Sequence, residues 1–157
     1  MYPKLAEEEL NIKADFTHVQ ETLLLPLFGR AKLSKKDNPV LKDSKAIEIV
    51  ENLIEYDFER LDRHLSPYGN VSWLVRAKMF DDTIRRFETE HQEATIVNFG
   101  AGLDTTFFRV DNGLIKWYDL DLPEVIEVRK RIIPESDRMK CIAKSLLDAS
   151  WIKRHQE

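Results

Sequence analysis

The sequence predicts an α/β protein: a helical N-terminal region, then a doubly wound parallel sheet that is incomplete at about three strands. Three observations predict it. From Ala94 onward, short β-rich runs alternate with amphipathic helical ones. The first of these runs, "TIVNF", ends on Gly100-Ala101-Gly102. The second ends on acids, Asp119 and Asp121, which lie 19 and 21 residues beyond Gly100. Strands alternating with helices imply parallel pairing through crossover connections.

The elements follow in order. Residues 1–24 read as mostly helical, with Leu10, Phe16, Val19 and Leu23 at helix-like spacing. "LLLPLF" is interrupted by Pro26. The segment 29–43, "GRAKLSKKDNPVLKD", carries Gly, Pro, Asn and a basic cluster and is predicted to be a loop. In 44–58, Ala46, Ile47, Val50, Leu53, Ile54 and Tyr56 form one helix face, with Ser44 as the expected N-cap. "SPYGN", 66–70, reads as a turn. A second strong helix over 71–91 places Leu74, Ala77, Phe80, Ile84 and Phe87 on one side. Strands are predicted at 95–99, 114–122 and 139–143. Pro123 opens the helix after the second strand, with Val125, Ile126, Val128, Ile132 and Ile133 as its buried positions, and a last helix begins in "DASWIKRHQE". Two regions result: a helical cap over 1–93 and the first half of an α/β domain over 94–157, expected to form one structural unit.

Composition narrows the function. The chain has 157 residues, 43% of them hydrophobic and 33% charged, enough for a core and a hydrated surface. A net charge of -4 argues against a nucleic-acid binder. No apolar run approaches the roughly 18 residues that span a bilayer, and the acidic start is unlike a signal peptide, so no membrane and a cytoplasmic location are expected. The single Cys141 reads as a small strand residue, and His18, His64, His91 and His155 show no ligand-like or triad spacing, so no metal is expected. The basic "KLSKK" reads as solvated loop.

The glycines carry the chemistry. A strand that turns sharply into a helix needs glycine for the turn, and the missing Cβ leaves room for a ligand against the backbone. A carboxylate about 20 residues further on accepts both hydroxyls of a ribose. The spacing admits Asp119 or Asp121, which strand alternation puts on one face. A dinucleotide loop has a third glycine three residues after the second, whereas Gly102 is followed by Leu103, Asp104 and Thr105. Asp104 at the loop mouth repels a pyrophosphate and suits a cation. S-adenosylmethionine, with its sulfonium and ammonium, fits better than NAD, and Arg76 on the preceding helix offers a cation for its carboxylate. Asp104, Thr105 and Thr106 are expected to cap the next helix, and Arg109 to pair with a nearby acid. Arg30, in the predicted loop, is a candidate to fold over the cofactor.

"GAGLDTTFFR", preceded by "IVN" and followed by "WYDLDLPEVIEVRK", resembles the leucine carboxyl methyltransferase family, which includes the O-methyltransferases of tetracenomycin-type polyketide biosynthesis. "LPLFGRAKLSKKDNPVLKDSKAIEIV" and "WLVRAKMFDD" are similar to that family's entry helix and loop and to its arginine-bearing helix, so the resemblance covers roughly residues 20–152. It implies a class I methyltransferase-like, Rossmann-like fold and an S-adenosylmethionine-dependent O-methyltransferase acting on a carboxyl or hydroxyl group. The methyl acceptor is then a protein carboxylate or, as favoured here, a polyketide-type small molecule. It further implies that Arg76 binds the methionine carboxylate, that Gly100, Ala101 and Gly102 line the methionine part, and that Asp121 takes the ribose hydroxyls. Ser145 and Leu146, in "SLLD", stand where the family reads the adenine amino group with an acid, so here a serine hydroxyl replaces a carboxylate. The family's later strands and acceptor pocket have no counterpart in these 157 residues, so no catalytic residue is assigned. The strand at 95–99 is expected to present a bare edge, covered by a second copy of the chain or by a partner chain carrying the missing half. The rival readings are an NAD-type oxidoreductase fragment, opposed by the absent third glycine and Asp104, and a truncated, non-catalytic subunit.

Overall fold

A computed structural model describes residues 18–53, 56–63 and 65–153. Leu10, Phe16, Ile54, His64 and His155 lie outside the described residues. The chain divides into two compact units, with the boundary between Asp82 and Thr83.

The first unit is helical. It contains α1 (His18–Ser34), α2 (Ser44–Asn52), α3 (Phe58–Arg63) and most of α4 (Pro67–Glu88). Leu24, Leu27 and Ala31 repeat at helical spacing along α1 and are buried, as are Ala46 and Ile49 of α2 and Leu53 just beyond it. Leu41, Leu74 and Ala77 form a further buried cluster, flanked by Leu33.

Six expectations for this unit are corrected. First, 29–34 is helix, not loop: α1 runs through Pro26 and Gly29 to Ser34. Gly29 is there for close approach, not for a turn. A Cβ at this position would lie 2.7 Å from Asn70 Oδ1 and 2.9 Å from Trp73 Cε3. Second, Arg30 does not sit in a mobile loop. It is buried, and its Nε donates to Asp43 Oδ2 at 3.0 Å. Third, the N-cap of α2 is Asp43, whose Oδ1 accepts from the Ala46 N–H at 2.9 Å, so Ser44 is already helical. The Asp43 N–H in turn donates to Ser34 Oγ, which closes the 35–42 loop. Fourth, "SPYGN" is the start of α4, with Pro67 in the first turn and the Asn70 N–H bonded to the Ser66 carbonyl. The helix expected over 44–58 is also divided. It stops at Asn52, and Asp57 caps the short α3 by accepting from the Arg60 N–H at 2.8 Å. Phe80, expected on the inner side of α4, is 59% exposed.

The second unit has the expected α/β order: β1 (Thr95–Phe99), α5 (Thr106–Val110), β2 (Lys116–Asp121), α6 (Pro123–Ile132), β3 (Met139–Ala143) and α7 (Ser150–Lys153). The strands form one sheet in the order β1-β2-β3, both pairings parallel. Register puts Phe99 beside Leu120 and Asp121 beside Ala143, so all three strands end together. Trp117 and Leu120 of β2, Met139 of β3, and Ile126 and Ile132 of α6 are fully buried and make the core. β2 is buried because it is central. β1 is an edge, and none of its five residues is fully buried. The turn into β2 is built by Asn112, whose Oδ1 accepts from the N–H groups of Leu114 and Ile115. That is why the strand begins two residues later than its apolar pattern predicts.

At the end of α4, Glu88 is buried and its Oε1 has no hydrogen-bond partner. Burial raises its carboxyl pKa, Arg85 opposes this, and Asp111 adds to it. An acid whose folded pKa is raised loses stability for the fold as pH climbs from the ordinary glutamate value through the raised one. Glu88→Gln is therefore expected to raise the melting temperature at pH 7 and to leave it unchanged near pH 4. Equal shifts at both values would contradict this assignment.

Candidate functional site

The carboxyl ends of β1 and β2 build the site. The N–H groups of Gly100 and Ala101 both reach the Leu120 carbonyl, at 2.9 and 3.4 Å, so the ladder continues one step past β1. The chain then turns with φ of 64° at Gly100 and 46° at Gly102, the left-handed region that side chains disfavour. Gly100 is exposed, and a Cβ built there would meet nothing within 4 Å, whereas Ala101 and Gly102 are buried. The loop thus shows solvent one bare backbone surface at Gly100, and its next two residues face inward.

Asp121, the last residue of β2, is half-buried and grips this loop. Its Oδ2 accepts from the Gly102 N–H at 2.8 Å, and its Oδ1 accepts from the Leu122 N–H at 2.8 Å. Both oxygens are fixed in direction, and each keeps a lone pair for another donor. Asp119 is different. It is fully buried and accepts from Trp117 Nε1 at 2.9 Å, Asn98 Nδ2 at 3.0 Å and Arg129 at 2.5 Å. Both acids point the same way by strand alternation, but the surrounding donors consume Asp119 and leave Asp121 at the surface.

Asp104 closes the loop. Its Oδ2 accepts from the Thr106 N–H at 3.1 Å, which makes it the side chain that caps α5, and from Asn98 Nδ2 at 3.3 Å. Thr105 occupies the cap position without a side-chain cap bond. Arg109 donates to the hydroxyls of Thr105 and Thr106 at 2.8 and 2.9 Å.

At the end of β3, the Lys144 N–H bonds to the Asp121 carbonyl at 2.9 Å, which brings Ser145 and Leu146 to the same end of the sheet as the acid. Ser145 Oγ accepts from the Leu147 N–H at 3.2 Å, and Leu146 is exposed. Beyond them, Trp151 of α7 meets the Phe99 ring edge-on at 5.5 Å. Gly100, Ala101, Gly102, Asp121, Ser145 and Leu146 are therefore gathered within the second unit. Arg76 belongs to the first unit, exposed on α4, and among the described residues no acid pairs with it.

Sequence reasoning missed Arg129. It is fully buried in α6, and its Nη1 donates to the carbonyls of Gly102 and Asp104, both at 2.9 Å, while Nη2 holds Asp119. The signal was its position. Val125, Val128, Arg129 and Ile132 share one helical stripe, and a charge on the apolar stripe of a helix needs a buried partner. Cys141 is half-buried on β3, and burial raises its thiol pKa, as suits an inert strand residue. Among the described residues no group of three or more His, Cys, Asp or Glu side chains is placed to hold a metal, and no helix is long and apolar enough to cross a membrane.

The family model for leucine carboxyl methyltransferase matches residues 24–145. The chain belongs to the leucine carboxyl methyltransferase family. The match begins in α1 and ends just past β3, so it takes in most of the helical unit and the three described strands. Two relatives agree. One is the tetracenomycin polyketide synthesis O-methyltransferase TcmP of Streptomyces glaucescens, 36% identical over 87% of this chain and 50% of its own length. The other is the S-adenosyl-L-methionine-dependent methyltransferase dpfgK of Gibberella zeae, 31% identical over 90% of this chain and 51% of its own. The chain spans about half the length of the curated relatives it matches. For this member of the leucine carboxyl methyltransferase family, Gly100→Ala is expected to cost about 1–2 kcal/mol through its positive φ. It also places a methyl group in the open space above the loop. The fold should persist with a lowered melting temperature, and an unchanged one would contradict the strain assigned to this φ.

Proposed function

We propose that this chain forms the S-adenosylmethionine-binding part of an O-methyltransferase. The observation that carries the reading is the pair of Gly100 and Asp121: a bare, outward backbone at the end of one strand beside a fixed, half-exposed carboxylate at the end of the next. The cofactor supplies an activated methyl group on a sulfonium, so the protein's task is chiefly to bind and orient. Asp121 takes the ribose hydroxyls. Gly100, with Ala101 and Gly102 behind it, passes close to the methionine part. Ser145, whose oxygen accepts one bond already and has a second lone pair, takes the adenine amino group beside Leu146. The resemblance assigns the methionine carboxylate to Arg76, whose exposed guanidinium, with no acid partner among the described residues, suits an anion. Asp104 disfavours a pyrophosphate at the same mouth.

The acceptor is an oxygen, carboxyl or hydroxyl, on a polyketide-type small molecule. The similarity to TcmP, a tetracenomycin polyketide synthesis O-methyltransferase, supports this choice over a protein carboxylate. A fluorescence titration tests the cofactor. S-adenosylmethionine and S-adenosylhomocysteine should bind saturably and NAD should not, and the reverse order would overturn the reading. Methyl transfer to phenolic and carboxylic acceptors then tests the chemistry.

The partner follows from β1. Its outer edge carries unpaired backbone groups in the described residues, and such an edge is normally covered. The working protein covers it with a polypeptide carrying the further strands of the sheet, which accords with relatives twice as long. Light scattering on the chain alone and with that segment distinguishes this from self-association.

A further inference from the structure

We propose that Arg129 is a positioning residue for the cofactor, acting through the backbone of Gly102 on Asp121. The inference rests on the reading of this loop as a cofactor site and goes one step deeper. Gly102 is held through both of its flanking peptide groups: its N–H donates to Asp121 Oδ2 at 2.8 Å, and its C=O accepts from Arg129 at 2.9 Å. The same guanidinium nitrogen takes the Asp104 carbonyl at 2.9 Å, and the other terminal nitrogen is fixed by Asp119. One buried planar cation therefore ties two loop carbonyls to the central strand. Asp121 turns its carboxylate where the loop N–H directs it, so the direction of its remaining lone pairs depends on Arg129.

Stability alone does not explain this choice of residue. A fully buried ion pair recovers little more than its desolvation cost, and well-packed apolar residues of like volume often do as well or better. Arg129 also leaves its Nε without a hydrogen-bond partner, a further cost. A guanidinium offers what an apolar side chain cannot, namely several donors in a rigid fork. Lysine lacks this fork: its single ammonium cannot hold the two carbonyls on one nitrogen while a second nitrogen pairs with Asp119.

The test compares affinities for S-adenosylhomocysteine and its 2′-deoxy analogue in wild type, in Arg129→Lys, and in the uncharged double variant Arg129→Met with Asp119→Asn. The wild type should prefer the ribose ligand through Asp121. Both variants should bind S-adenosylhomocysteine about tenfold more weakly and lose most of the ribose preference, since a charge-assisted hydrogen bond has been misdirected. A merely structural role would lower both affinities together and leave their ratio intact, and that result overturns the inference. So does an unchanged affinity in either folded variant. If Arg129→Lys does not fold, the double variant carries the test. Failure of the wild type to bind either ligand overturns the cofactor reading and this inference with it. Wild-type binding with an unaltered ratio in the variants overturns this inference alone.

Discussion

Replacing Asp119 with alanine is expected to remove about 3–5 kcal/mol of stability, the cost of leaving a buried charge without its partner. The charge is that of Arg129, and neither side chain has any exposed surface. The substitution also strips an acceptor from Trp117 Nε1 and from Asn98 Nδ2, so three donors lose an acceptor at once. Domains of this kind have only about 5–15 kcal/mol in total, so the variant should melt far below the wild type and lose much of its folded population in mild urea. Asp119→Asn, which keeps one acceptor and similar volume, should fall between the two. Chemical denaturation measures the loss, and a change under about 1 kcal/mol for alanine would show that the network is not the internal tie described here.

Asp121 should respond in the opposite way. Asp121→Ala removes two hydrogen bonds to backbone N–H groups at a half-buried position, about 1 kcal/mol each, so the protein should remain folded. Its effect on S-adenosylmethionine should be much larger. Two hydroxyls lose a charged acceptor, each such bond being worth about 1.5–3 kcal/mol, which gives a drop in affinity of about a hundredfold or more. Asp121→Asn keeps one acceptor oxygen and should lose less. Calorimetric titration beside thermal melting separates the two acids. Asp119 variants should fail mainly in stability and Asp121 variants mainly in binding. A variant of Asp121 that binds as the wild type does would exclude it as the ribose acid.

Much of the second unit could be read directly from the residues. Glycines at 100 and 102, a β-rich run before them and acids 19 and 21 residues on from Gly100 specify a strand–turn–helix with a carboxylate on the neighbouring strand. These are local constraints, set by backbone angles and by strand period. The choice between Asp119 and Asp121 was not local. Spacing puts them on one face, and only the buried donors of Trp117, Asn98 and Arg129 remove Asp119 from solvent. Arg129 shows in the sequence only as a charge on the apolar stripe of α6, and its partners, two loop carbonyls and Asp119, come together only in the fold.

The first unit was harder to read because the same residues serve two purposes. Gly29 looks like a helix breaker and is a point where two side chains press on the backbone. Ser66, Pro67, Gly69 and Asn70 look like a turn, but Ser before Pro is also how a helix begins, and α4 begins there. Arg30 lies in a stretch whose Gly, Asn and Pro read as loop. In the helix it lies beside Asp43, thirteen residues on, and a distant partner of that kind is invisible to periodicity.

The most direct test is a crystal structure of the protein with S-adenosylhomocysteine. Both ribose hydroxyls should lie within hydrogen-bonding distance of the Asp121 carboxylate, with the homocysteine chain passing over Gly100. A ribose held by other groups, or a nucleoside seated away from the ends of β1 and β2, would contradict the account.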